Sequence, residues 1–173
     1  NFDTLTFNSA GNIEIREESA MSLTGSNTAA SATLVSSGNV ELGGSISSGS
    51  LNVTASGSVT DGNTGDLDIS GGASFAGSAI TLGNDAGNTV NFGTLTFNSN
   101  GSVQITEDSA MSLTGSSTAA GATLISTGSI TDTSESSITI TNLLDLDAQT
   151  IYLANGTVNA GSMTFNSAGS VQI

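Results

Sequence analysis

The 173-residue chain sets one basic residue, Arg16, against 15 acidic ones, for a formal net charge of −14, and contains no Pro, Cys, His or Trp. That inventory argues against nucleic-acid binding and attraction to anionic membranes, which rely on Lys and Arg, and it removes disulfides, thiolate or imidazole metal ligands and His- or Cys-dependent nucleophiles. Charged residues make up only 9% of the chain but hydrophobic ones still reach 36%, so there is apolar material for a core, while the abundant Ser, Thr, Asn and Gly favour strands and tight turns over helices.

The opening segment Asn1–Ile15, NFDTLTFNSAGNIEI, holds two short alternating runs, Leu5/Phe7 and Ile13/Ile15, around a small-residue turn. Period-two alternation predicts strands with one apolar face. Met21/Leu23 in SAMSLTGS adds a third strand, and the strand–turn–strand unit restarts at Ala32 (ATLVSSGNVEL), Leu51 (LNVTASGSVTD) and Leu67 (LDISGGASFAG). At Asn91–Ile105 the opening returns as NFGTLTFNSNGSVQI, and SAMSLTGS of Ser19–Ser26 recurs letter for letter at Ser109–Ser116. Units at Ala122 and Leu144 follow, and a third copy, NAGSMTFNSAGSVQI, occupies Asn159–Ile173. We read one solenoid segment with an internal duplication, 1–90, 91–158 and the start of a third copy at 159–173, taken from a longer repeat protein. The offsets of 90 and 68 residues differ by 22, and the eight unit starts average about 22.6 residues apart, inside the range that marks solenoid repeats.

A coil of this length cannot bury its apolar faces alone, whereas stacked coils bury them in columns and pair their strands in parallel. The expectation is an all-β parallel β-solenoid of about eight coils of roughly 22 residues. Aligning the units predicts one inward column of Phe7, Leu34, Val53, Ile69, Phe97, Leu124, Leu146 and Phe165, and a second of Ile13, Val40, Val59, Phe75, Val103, Ile130, Tyr152 and Val171. Gly11, Gly38, Gly57, Gly101, Gly128 and Gly169 fall at equivalent corners, where a positive φ is a natural requirement.

The LTFNSAGNIEI-type unit, the Ser/Thr/Asn/Gly-rich coil and duplication over several coils together resemble the right-handed parallel β-helix regions of large secreted bacterial surface proteins, the filamentous-haemagglutinin-like adhesins among them. The resemblance implies a right-handed coil, export and a cell-surface or extracellular role, with no catalytic residues to carry over.

Parallel β-helices also include polysaccharide lyases and hydrolases, but Arg16 is the one cation, and the acidic pairs Glu17/Glu18 and Asp66/Asp68 read as solvated corners. No enzyme activity is expected. The best-founded ligand is calcium at DGNTGDLD, where Asp61, Asn63, Asp66 and Asp68 supply oxygens and Gly62 and Gly65 the bend, although the closing bidentate Glu of a calcium loop is missing. The functional expectation is a secreted structural fibre or stalk, with end-to-end self-association or continuation into further repeats. The alternative is an adhesin binding glycan or a surface through Arg16–Ser31 and Thr106–Gly121. Neither nucleic acid nor membrane insertion is expected.

Overall fold

The computed structural model describes residues 2–173. They wind into a β-solenoid whose strands pair in parallel, with no helix among the described residues. The strands are β1 (Asn12–Glu17), β2 (Met21–Leu23), β3 (Ser26–Ala29), β4 (Ser31–Ser36), β5 (Val40–Leu42), β6 (Ser45–Ser48), β7 (Leu51–Ala55), β8 (Val59–Thr60), β9 (Leu67–Gly77) and β10 (Ile80–Leu82). They continue with β11 (Val90–Ser99), β12 (Ser102–Glu107), β13 (Met111–Leu113), β14 (Ser116–Ala119), β15 (Gly121–Ser126), β16 (Ser129–Asp132), β17 (Ser137–Ala148), β18 (Thr150–Tyr152), β19 (Thr157–Ser167) and β20 (Val171–Gln172).

Three parallel stacks enclose the core. The first contains β1, β4, β7, the later part of β9, the later part of β11, β14, and the early parts of β17 and β19. The second contains β2, β5, β8, β10, β12, β15 and the later parts of β17 and β19. The third begins with β3, β6 and the early parts of β9 and β11, and ends with β13, β16, β18 and β20. Along the first stack the register runs Arg16, Val35, Thr54, Ala76, Asn98, Thr118, Thr139, Asn159, eight levels separated by 19, 19, 22, 22, 20, 21 and 20 residues. At a strand spacing of about 4.8 Å these levels span roughly 34 Å.

The predicted columns hold only in part. Leu34 pairs with Val53, and Leu124 with Leu146 and then Phe165, but Val53 continues to Phe75 and Phe97, not to Ile69. Ile151, not Tyr152, is the inward residue between Ile130 and Val171; Tyr152 turns outward and is 40% exposed. The reason is that the sequence repeat and the coil are out of phase. From Phe7, which lies level with β3 by the neighbouring Asn8–Thr28 bridge, four coils lead up the third stack to Val90, and Phe97 lies one face further on. From Phe97 three coils lead to Val158, and Phe165 again lies one face further. The offsets of 90 and 68 residues are therefore four and a third and three and a third coils, and the Phe-Asn pair of successive copies sits on the third, first and second stacks in turn.

The corner glycines are needed for a different reason than expected. Positive φ occurs at Gly25, Gly62, Gly83, Gly87 and Gly115 and at none of the six predicted corners. Gly38, Gly128 and Gly101 press instead on the neighbouring coil: a Cβ on Gly38 would lie 2.7 Å from the Ala20 amide nitrogen, one on Gly128 3.0 Å from that of Ala110, and one on Gly101 against the Ser78 carbonyl. Each belongs to a Ser-x-Gly turn in which the serine hydroxyl accepts the glycine N–H and donates to a carbonyl of the coil beside it. Ser36 bridges Gly38 N (3.0 Å) and Ser19 O (2.5 Å), and Ser126 bridges Gly128 N (3.1 Å) and Ser109 O (2.6 Å). Ser99 does the same with Gly101 and Ser78.

Candidate functional site

Polar side chains inside a solenoid core are the obvious places to look for function, because burying a charge is costly unless it is hydrogen-bonded. Asp61, Glu107, Asp132 and Glu17 are the buried acidic residues. Strand alternation puts them there: Val59 and Asp61, Ile130 and Asp132, Ile15 and Glu17, Ile105 and Glu107 are pairs two residues apart, and if the first points inward so does the second. The same alternation corrects the expectation of a solvated Glu17/Glu18 corner: Glu18 is exposed, but Glu17 is only 4% so.

The two aspartates serve the same purpose on different coils. Asp61 follows Thr60, which pairs with Glu41 and Thr81, and so interrupts the column between Leu42 and Leu82. Its Oδ2 accepts Gly83 N at 2.6 Å and Asn88 Nδ2 at 3.3 Å, while Asn88 Nδ2 also reaches Gly62 O at 2.6 Å. Asp132, paired with Leu113, accepts Gly156 N at 2.6 Å, Asn155 N at 3.1 Å and the Ser136 hydroxyl at 3.1 Å, and its carbonyl accepts Asn155 Nδ2 at 2.8 Å. In both, a carboxylate and a downstream Asn tie off a loop that leaves the strand ladder. Burial raises the Asp61 carboxyl above the usual range against the opposing bonds from Gly83 and Asn88, and its Oδ1 is buried without a hydrogen-bond partner among the described residues.

The structure does not gather the calcium candidates around one point. Asp61 points into the core and Asn63 is exposed on the loop; Asp66 Oδ1 accepts Thr89 N at 2.8 Å, and Asp68 is exposed on β9 between Ser47 and Asn91. Among the described residues no group of three or more acidic side chains is placed to hold a metal ion.

Glu107 has the most perturbed environment. Fully buried, it accepts Phe92 N at 3.0 Å and the Ser109 hydroxyl at 3.1 Å through Oε1, while Oε2 has no partner among the described residues. Burial pushes its pKa up to about 7, with the nearby Asp108 adding to the effect and the two hydrogen bonds opposing it. Its duplicate, Glu17, accepts Phe2 N at 3.1 Å and the Ser19 hydroxyl at 2.9 Å. There burial acts upward too, but the hydrogen bonds from Ser19 and Phe2 outweigh it and the carboxyl is held below its usual value. All four acids thus serve the coil, supplying acceptors to N–H groups outside the parallel ladder.

On the outer surface, ladders of hydroxyls and amides join neighbouring coils. Thr6 Oγ1 donates to Thr24 O and Thr96 Oγ1 to Thr114 O, each at 2.7 Å, while Thr28 and Thr118 bond Asn8 and Asn98 at 2.6 and 3.0 Å. A concavity of about 490 Å³ forms an open groove between the coils of Ala55, Ala76 and Asn98, lined by small and uncharged polar residues.

No curated protein matches the chain, and no solved structure does. Residues 29–96, from the end of β3 through most of β11, match a family described as repeats of unknown function (DUF5649).

Proposed function

We propose that the protein is a structural segment of a secreted, cell-surface or extracellular fibre or stalk, in which stacked coils supply length and stiffness. The observation that carries this reading is the phase of the repeat. SAMSL occupies β2 in the second stack and, in its duplicate, β13 in the third, so the outward parts of Arg16–Ser31 and Thr106–Gly121 face different directions. One flat partner surface cannot engage both, which weighs against multivalent adhesion through these segments; the core, by contrast, continues through every level whichever face a copy occupies. The buried acids are engaged in holding loops, so neither catalysis nor a cofactor forms part of the reading. An adhesin that binds glycan through a single outward segment is the competing reading.

Electron microscopy of the native, full-length material tests it. Thin, straight particles of uniform width are expected, and compact particles without a long axis would sink the proposal. Calcium stays outside this reading because Asp61, Asn63, Asp66 and Asp68 diverge; a melting temperature that drops in EDTA and recovers with added calcium would bring it in.

A further inference from the structure

We propose that Asn100 is a site of spontaneous covalent modification, losing its side-chain amide through attack by the Gly101 backbone nitrogen. The inference is independent of the fibre reading, since it concerns the chemistry of one corner of the coil stack. Asn is a chemically labile residue, and a following glycine, having no side chain, allows its nitrogen the closest approach. Two Asn-Gly pairs occur in the chain, Asn100–Gly101 and Asn155–Gly156.

The structure holds these pairs differently. At Asn155 both reacting groups are occupied: Gly156 N donates to Asp132 Oδ2 at 2.6 Å, Asn155 Nδ2 donates to the Asp132 carbonyl at 2.8 Å, and Asn155 N donates to Asp132 Oδ1 at 3.1 Å. Asp132 is itself buried, and hydrogen bonds to a carboxylate are roughly twice as strong as neutral ones. At Asn100 the side chain is exposed and its amide makes no hydrogen bond among the described residues, so it can turn its Cγ toward the next nitrogen. Gly101 N donates to the neutral Ser99 hydroxyl, at 3.1 Å.

The reaction needs only water. Gly101 N bonds to Asn100 Cγ, the Cγ–Nδ2 bond breaks, and Nδ2 leaves as ammonia with the proton from Gly101. Water then opens the cyclic imide, at Cγ to give aspartate or at the main-chain carbonyl to give isoaspartate. Position gives the event a consequence. In the other Ser-x-Gly corners whose serine accepts the glycine N–H, the middle residue is Ala10, Ser37, Thr127 or Ala168, none with an amide, so the change falls on one level of the stack. Asn100 borders two adjoining grooves, one along Ala76 and Asn98, the other along Thr118 and Thr139, both lined by uncharged residues. Either product brings a carboxylate into them.

Incubating the folded chain in mildly alkaline buffer, digesting it and weighing the peptides tests this, with the same chain unfolded in urea as reference. Folded protein should release ammonia and gain the amide-to-acid mass difference at Asn100 at least about tenfold faster than at Asn155, the ratio set by roughly 1.4 kcal/mol of extra restraint. In urea, where Asp132 holds nothing, the two sites should react at similar rates. Asn100→Ala, which copies the corners of Ala10 and Ala168, should abolish the fast ammonia release and leave the circular dichroism spectrum unchanged. Folded protein in which Asn155 reacts as fast as Asn100, or in which Asn100 keeps its amide while the unfolded chain loses it, would overturn the assignment.

Discussion

Asn91–Ile105 and Asn159–Ile173 are the same motif in two situations. In the first, Phe97 and Ile105 are fully buried; in the second, their counterparts Phe165 and Ile173 are 54% and 50% exposed. Local sequence and strand alternation are alike, so the difference comes from the coil on the far side. A solenoid coil supplies half of an environment, and its neighbour supplies the other half.

The largest expected effect follows directly. Phe97→Ala should cost about 3–5 kcal/mol in urea unfolding, whereas Phe165→Ala should cost well under half as much because much of the ring already meets water. Equal losses would mean that the end coil is packed like the interior.

Glu107 and Glu17 sharpen the comparison through pH. Folded Glu107 holds its proton to about pH 7, against an ordinary value of 4.5. The native state therefore binds more protons than the unfolded state in that window, and stability falls as pH rises through it, by at most about 3 kcal/mol. Glu107→Gln should flatten this slope and stabilise the protein at pH 8. For Glu17, whose carboxyl is held low, the sign reverses: its contribution is present above the ordinary value and is lost on acidification. Thermal melts of the two Gln variants between pH 4 and 8 separate these directions.

A smaller contrast lies at the corners. Gly38→Ala forces a Cβ onto the Ala20 backbone, while a Cβ on Gly11 meets only Ser9 Oγ at 3.8 Å. The first should cost about 1–3 kcal/mol, as overpacking does, and the second should be close to neutral by chemical denaturation. Ser126→Ala removes the acceptor for Gly128 N and the donor to Ser109 O, at about 1 kcal/mol. The loss stays modest because Ala55 and Ala148 already occupy the equivalent corner positions of neighbouring coils, paired with Ser36 and, in the case of Ala148, with Ser167.

The coil fold was legible because alternation and duplication are properties of the chain itself. The columns were not, since alternation tells inside from outside but not which of three faces a strand joins. Aligning Phe7 with Leu34 assumed that equal motifs share a face, yet Phe7 lies level with β3 and Leu34 is in β4. The same alternation that found Ile13 and Ile15 also pointed Glu17 inward, and a preference for solvated acids obscured it. Asp61 reads as an oxygen ligand in a bend made by Gly62 and Gly65; its actual partners are Gly83 and Asn88, more than twenty residues on, which no local pattern reveals.

The one-face advance of each copy also bears on mechanics. β9 and β11 each run along the third and first stacks with a break in register between them, whereas β17 and β19 make the corresponding passage from the first stack to the second. A feature of this kind confined to one side would bow the rod toward or away from that side, and the curvature would accumulate with length. Divided between two of the three corners, the breaks in register do not all load one side of the column.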